Sequence, residues 1–350
     1  MQPIGFIGWD LGGAHLKLAE VNPQGQLVHV QQIPCPLWKG LQSLDEALAQ
    51  ARVDVRQKVH AVTMTGELAD IFKNRQQGVH ALVSRMQGWL AGTKLWIFAG
   101  RVGMLSPSEV REHAGSIASA NWLATASHAA KRLGQGILID IGSTTTDIVP
   151  LVQGRVIYRG YSDGERLASQ ELLYTGVVRT PVMAVVREIP FAGEWHAVAA
   201  ERFAIMGDVY SLTGQLEDVP SFETADGAGT EAVDCARRLA RMVGRDVESA
   251  HFPEWQRLAQ HVGWAQLCVI RRALARHLSR GGETQNAPFA GAGVGRFLAQ
   301  ELAAQMGHPY IDFSELCEGP EHLRDLGAIC APAVVLAYLV RNQNGKTENC

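Results

Sequence analysis

A run of apolar residues opens the chain. FIGWDL leads without interruption to Asp10, and after two glycines HLKLAEV mixes polar and apolar positions as a strand with one wet face does. The same order of events returns at 137–152, ILIDIGSTTTDIVPLV, where Asp140 falls on Asp10, Gly142 on Gly12 and Asp147 on Lys17. Each copy is followed by a turn and a further strand pattern, NPQGQLVHVQQI (22–33) and QGRVIYRGY (153–161). Two strand-turn-strand-turn-strand units, 130 positions apart, predict duplicated domains.

Between the copies, KVHAVTMTG (58–66) and KLWIFAG (94–100) read as buried strands ending in small residues, and QQGVHALVSRMQGWL (76–90) reads as a helix. The small-residue stretch HAGSIASANWLATASHAAKRLG (113–134) predicts one long helix leading into the second copy. Alternating strands and helices predict an α/β fold with lobes 1–133 and 134–350. In the second lobe, helical spacing dominates 229–279, and 287–307 reads as strand, glycine turn and helix. The apolar run 327–340 is shorter than a bilayer span and contains Pro332, which predicts a buried last helix packing back on the core.

Composition narrows the class. The chain has 350 residues, 47% of them hydrophobic, enough for two packed lobes. A net charge of -3 offers no basic field for nucleic acid, and the basic stretch 235–245 reads as a solvated helix face. The six cysteines, at 35, 235, 268, 317, 330 and 350, form no CxxC pair, so reduced thiols in a cytoplasm are expected in place of zinc or disulfides. The first residues carry no basic leader with a cleavage site, and no membrane partner is expected. Oligomeric state is left open, a homo-oligomer included.

The chemistry gathers at the two loops. Asp10, Asp140 and Asp147 are the candidate metal ligands, since carboxylates at strand ends beside glycine turns suit a phosphate and its magnesium ion; the plainer role is capping the turns. Gly12, Gly13 and Gly142 permit the turns and also let a ligand oxygen reach the backbone. The hydroxyls of Ser143, Thr144 and Thr145 either donate to that ligand or support the hairpin.

Two aspartate loops and a late glycine turn resemble the actin, sugar kinase and Hsp70 superfamily, a ribonuclease H-like fold of duplicated lobes around a central cleft. DIGSTTTDIVPL (140–151) looks like its hydantoinase A and oxoprolinase branch. TMTGELADIF (63–72), ASANWLATA (118–126), LLYTGVVRTPV (172–182) and ERFAIMGDVYSLTG (201–214) together resemble the methanofuran-biosynthesis condensing enzyme family, also labelled a tetrahydromethanopterin-linked one-carbon pathway protein.

That resemblance implies a transferase joining the phenol oxygen of a tyramine- or tyrosine-derived acceptor to the methylene of an aminomethylfuran diphosphate, with release of diphosphate. The candidate catalytic set is Asp140, Asp147, Glu67 and Lys17. Lys17 stands where the second repeat has Asp147, so its cation would hold the diphosphate; the plainer reading is an exposed strand lysine. Glu67, beside Thr65 and Gly66 at a strand end, would accept the phenol proton or orient the furan amine, the plainer role being structural at a helix N-terminus. Gly291, Gly293 and Gly295 match a third phosphate-or-adenosine turn of the superfamily, and Tyr174, Thr175 and Arg179 either contact substrate or form a structural turn before Pro181. His15 reads as packed or solvated. Two alternatives share the fold: an ATP-dependent small-molecule kinase or amide hydrolase, for which ATP would be the cofactor, and a non-catalytic nucleotide-binding regulator.

Overall fold

The computed structural model describes residues 4–216, 222–282 and 284–347. The two repeats form two separate sheets. In the first, β1 (Phe6–Leu11), β2 (His15–Val21) and β3 (Leu27–Pro34) run antiparallel, as the mixed polar and apolar pattern requires. After α1 (Gln42–Ala49) the chain lays β4 (Val59–Met64) parallel to β1, and after α2 (Arg75–Trp89) it adds β5 (Lys94–Phe98) and β6 (Met104–Leu105), giving the order β3-β2-β1-β4-β5-β6. Asn74 starts α2 by accepting a hydrogen bond from the Gln77 amide. Both β1 and β4 are buried along their whole length, which explains their unbroken apolar runs.

The predicted long helix 113–134 is two: α3 (Val110–Ile117) and α4 (Asn121–Leu133). Ser119 lies between them with φ of +52°, a left-handed conformation in which a right-handed helix cannot continue.

The second sheet repeats the first with β7 (Gly136–Ile141) and β8 (Thr146–Val152). Its third strand departs from expectation. β9 (Arg155–Val156) is short, because the amides of Arg159 and Gly160 bond instead to the Glu171 carboxylate, and the chain turns into α5 (Asp163–Ser169). The place beside Thr146 and Asp147 is taken by β10 (Leu172–Leu173). A hairpin, β11 (Glu188–Phe191) and β12 (Glu194–Ala197), precedes the helices α6 (Met206–Leu212), α7 (Ala232–Met242) and α8 (Phe252–Leu278). Then β13 (Phe289–Ala292) pairs parallel with β7, followed by α9 (Arg296–Met306) and β14 (Tyr310–Asp312).

The chain ends in α10 (Glu321–Ile329) and α11 (Ala331–Thr347), bent by 108° where a single helix was expected, with Pro332 in the first turn of α11 where its missing N–H does no harm. Among the described residues no single helix is long and apolar enough to cross a membrane. α11 packs on β1, β2 and β4, so closely that a Cβ on Gly8 would collide with the Ala333 carbonyl oxygen.

The compact units divide the chain differently from the lobes expected. The first holds the residues up to Gly134, Leu151–Val156 and everything from Asp312 on; the second holds Gln135–Pro150 and Ile157–Ile311. The break at Gly134 falls beside the expected boundary, but the closing helices complete the first unit. The five described cysteines are free thiols, and Cys350 lies outside the described residues.

Candidate active site in the two aspartate loops

The two loops close in the same way. Gly12 donates its amide to the His15 carbonyl at 3.0 Å, and Gly142 donates to the Thr145 carbonyl at 2.9 Å. The duplication is therefore geometric as well as sequential.

In the first unit, the register places Lys17, Asp10 and Thr63 side by side on β2, β1 and β4, on one face of the sheet. Asp10 is buried and its Oδ1 has no hydrogen-bond partner, nor does the Thr63 hydroxyl. Burial raises the Asp10 pKa, and the Lys17 charge only partly opposes it. Lys17, expected to hold diphosphate, donates instead to the Ile329 carbonyl at 3.1 Å, so its ammonium anchors the end of α10 beside Asp10. Burial pushes the neighbouring Cys330 thiol up to about 12, which keeps it neutral.

Gly66 presses on this loop. A Cβ there would lie 3.0 Å from the Leu11 carbonyl oxygen and 3.3 Å from that of Gly12, while the Thr65 amide donates to the Leu11 carbonyl at 3.1 Å. Gly13 has open space where a side chain would stand. Glu67 follows, buried, and its Oε1 accepts a 2.8 Å hydrogen bond from the buried Ser119 hydroxyl. Two of the segments that carry the family resemblance, 63–72 and 118–126, meet at this contact.

In the second unit, residues 176–179 wrap the loop. The amides of Val177, Val178 and Arg179 donate to the carbonyls of Gly142 and Ser143 at 2.8 to 3.1 Å. A trans peptide points its C=O and N–H in opposite directions, so the N–H groups of Ser143 and Thr144 turn away from this segment. Backbone amides presented in this way suit an anion. Ser143, Thr144 and Thr145 are half-buried. The wrap is itself braced. Gln266, fully buried, donates to the Thr175 hydroxyl and the Gly176 carbonyl and accepts from the Tyr210 hydroxyl at 2.6 Å. The Thr146 hydroxyl donates to the Thr175 carbonyl at 2.6 Å. The segments 172–182 and 201–214 thus converge on the loop.

A profile of the hydantoinase/oxoprolinase family matches residues 58–339. The (4-{4-[2-(gamma-L-glutamylamino)ethyl]phenoxymethyl}furan-2-yl)methanamine synthase of Methanocaldococcus jannaschii is 31% identical over 245 residues, 69% of this chain and 72% of that protein. The chain belongs to the methanofuran-biosynthesis condensing enzymes of the hydantoinase/oxoprolinase family. A synthase of the same name from Methanococcus vannielii is 36% identical over 112 residues, 32% of this chain and 50% of that one. Among solved structures, nucleotide-free acetone carboxylase is similar over 96% of this chain and 70% of that one, at 11% identity and a TM-score of 0.56. The fold is of the actin, sugar kinase and Hsp70 type, with two sheets that each carry one copy of the repeat.

Within this family's loop, Asp147, expected as a metal ligand, has one carboxylate oxygen engaged by an arginine. Arg166, 2% exposed, pairs with it at 2.7 Å and also donates to the Glu171 carbonyl. Burial still holds the Asp147 pKa up against that arginine, with Asp163 adding to the rise. The glycine turn 291–295 also differs from a ligand-facing turn. Tyr310 covers Gly291, Ile141 and Val177 cover Gly295, and a Cβ on Gly293 (φ of +80°) would stand 2.6 Å from Asp140 Oδ1. These glycines let β13 approach the loop, with the Gly295 amide donating to the Ile141 carbonyl.

Among the described residues, no three His, Cys, Asp or Glu side chains gather as a metal site. Magnesium does not need such a cage: it takes one or two carboxylates and fills its octahedron with water and phosphate oxygens. Asp140 in one unit, and in the other Asp10 with its unpartnered buried oxygen, are donors of that kind. Sequence reasoning missed Arg166, Ser119, Gly176 and Gln266, although all but Arg166 and Gln266 lie inside motifs it had quoted.

Proposed function

We propose that this enzyme condenses an aminomethylfuran diphosphate with the phenol of a tyramine- or tyrosine-derived acceptor, forming an aryl ether and releasing diphosphate. The name of the relatives describes a compound in which a phenol oxygen is joined to a furan methylene, and this chain is 31% identical to one of them over 245 residues. The peptide-plane geometry of the 142–145 loop carries the assignment: backbone amides with three hydroxyls beside them fit a group that becomes more negative as the bond to carbon breaks.

In this scheme the amides of Ser143 and Thr144 bind the leaving diphosphate, and the hydroxyls of residues 143–145 orient it. In the second unit Asp140, and in the first unit Asp10, is the carboxylate that would hold magnesium, and magnesium when bound neutralises charge on the diphosphate. Asp147, fixed by Arg166, keeps the mouth of the loop in shape. Glu67 accepts the phenol proton. The furan ring spreads positive charge from the methylene, so the nucleophile needs little further activation.

The test is to incubate the protein with magnesium, the aminomethylfuran diphosphate and glutamyltyramine, following diphosphate and ether together. Equal amounts of both are expected. Diphosphate without ether, or turnover only when ATP is supplied, would contradict the assignment and favour an ATP-cleaving enzyme.

A further inference from the structure

Ser119 is a conformational outlier with a specific contact. Serine rarely occupies φ of +52°, and glycine would do so without steric penalty. The residue interrupts what would otherwise be one helix between Val110 and Leu133. Its hydroxyl donates a 2.8 Å hydrogen bond to Glu67 Oε1, which glycine could not make. With Ser119 at 6% exposure and Glu67 at 1%, bulk water does not substitute for it. Strained backbone held at a buried carboxylate points to function when the residue that would relieve the strain would also lose the contact.

We propose that Ser119 is a positioning residue for ether formation: it fixes the Glu67 carboxylate so that the carboxylate can take the proton from the acceptor phenol. This rests on the condensation assigned above. In the step, the phenol oxygen bonds to the furan methylene and its proton passes to Glu67. The bond from methylene to diphosphate breaks with its electron pair leaving on the diphosphate, and Glu67 later returns the proton to water. Gly78 supports the same carboxylate from behind, since a Cβ there would lie 2.5 Å from the Glu67 carbonyl oxygen; the backbone of Glu67 is thus held by α2 and its side chain by Ser119.

Ser119→Gly separates the two roles of the residue, because it relieves the strain and deletes the hydroxyl. The full-length variant should stay folded, relief of the strain offsetting part of the lost hydrogen bond, yet lose tenfold or more in kcat, with KM for the aminomethylfuran diphosphate unchanged. The defect should shrink with acceptors whose phenol is more acidic. Adding Glu67→Gln should cause little further loss beyond that of Glu67→Gln alone. A Ser119→Gly variant of full activity, or a defect equal for acidic and ordinary phenols, would overturn the positioning role. If the wild-type protein makes no ether at all, the function itself fails; if it does and Glu67→Gln is fully active, only the Glu67 and Ser119 roles fail.

Discussion

Two aspartates of the loops carry opposite burdens. Asp10 is buried with an unpartnered oxygen and a pKa raised by that burial, so the folded chain holds this proton more tightly than the unfolded chain does. Its contribution to stability is therefore present in acid, below the ordinary carboxylate value near 3.8, and is lost as pH rises through the folded value. Urea titrations of the ligand-free protein should show the difference between Asp10→Asn and wild type moving in the variant's favour as pH rises above the ordinary carboxylate range. A difference constant with pH would mean that Asp10 is not strained by burial. Asp147 differs because Arg166 meets it at 2.7 Å. Asp147→Asn leaves a buried guanidinium without its counter-charge, and should lower stability by about 3 to 5 kcal/mol as well as slowing diphosphate release. The pair Asp147→Leu with Arg166→Met should recover most of the melting temperature and none of the activity. Recovery of both would reduce the ion pair to a packing detail.

At the scale of elements, the wrap of residues 176–179 over the 142–145 loop decides whether its amides are presented to an anion. A Cβ on Gly176 would lie 2.5 Å from the Ser143 carbonyl carbon and 2.6 Å from the Gly142 oxygen, both parts of the backbone that cannot step aside cheaply. Gly176→Ala should weaken binding of magnesium diphosphate, measured by calorimetry, by about tenfold or more, which is about 1.4 kcal/mol. Unchanged affinity in a folded variant would place the anion elsewhere. The strands β1, β4, β7 and β13 were readable from their apolar runs because strands buried on both faces admit nothing else. The break at Ser119 was not, since a serine forced to positive φ by its surroundings leaves the helical spacing on either side intact. Nor was the short β9: the competing acceptor for its neighbouring amides, Glu171, lies 11 or 12 residues further along the chain.

For the whole molecule, the repeat reported two copies, and the two sheets follow it. What it could not report was ownership of the closing helices. An apolar helix face is satisfied by any apolar sheet, and only contacts such as Gly8 against Ala333 and Lys17 against Ile329 assign α10 and α11 to the first unit. The loop aspartates were legible for the same reason as the strands they end. Their partners were not, because Arg166 stands 19 residues from Asp147 and Ser119 stands 52 from Glu67. Function at this scale is a choice between two bonds of one substrate, carbon to oxygen or oxygen to phosphorus. An aminomethylfuran diphosphate labelled with heavy oxygen at the bridge between methylene and phosphorus distinguishes them directly by mass spectrometry of the products. If the loops serve as a diphosphate-leaving site, all of the label departs in diphosphate and the ether carries the acceptor's own phenol oxygen. Label retained on the furan methylene, or a phosphorylated acceptor among the products, would show phosphoryl transfer instead and contradict the condensation.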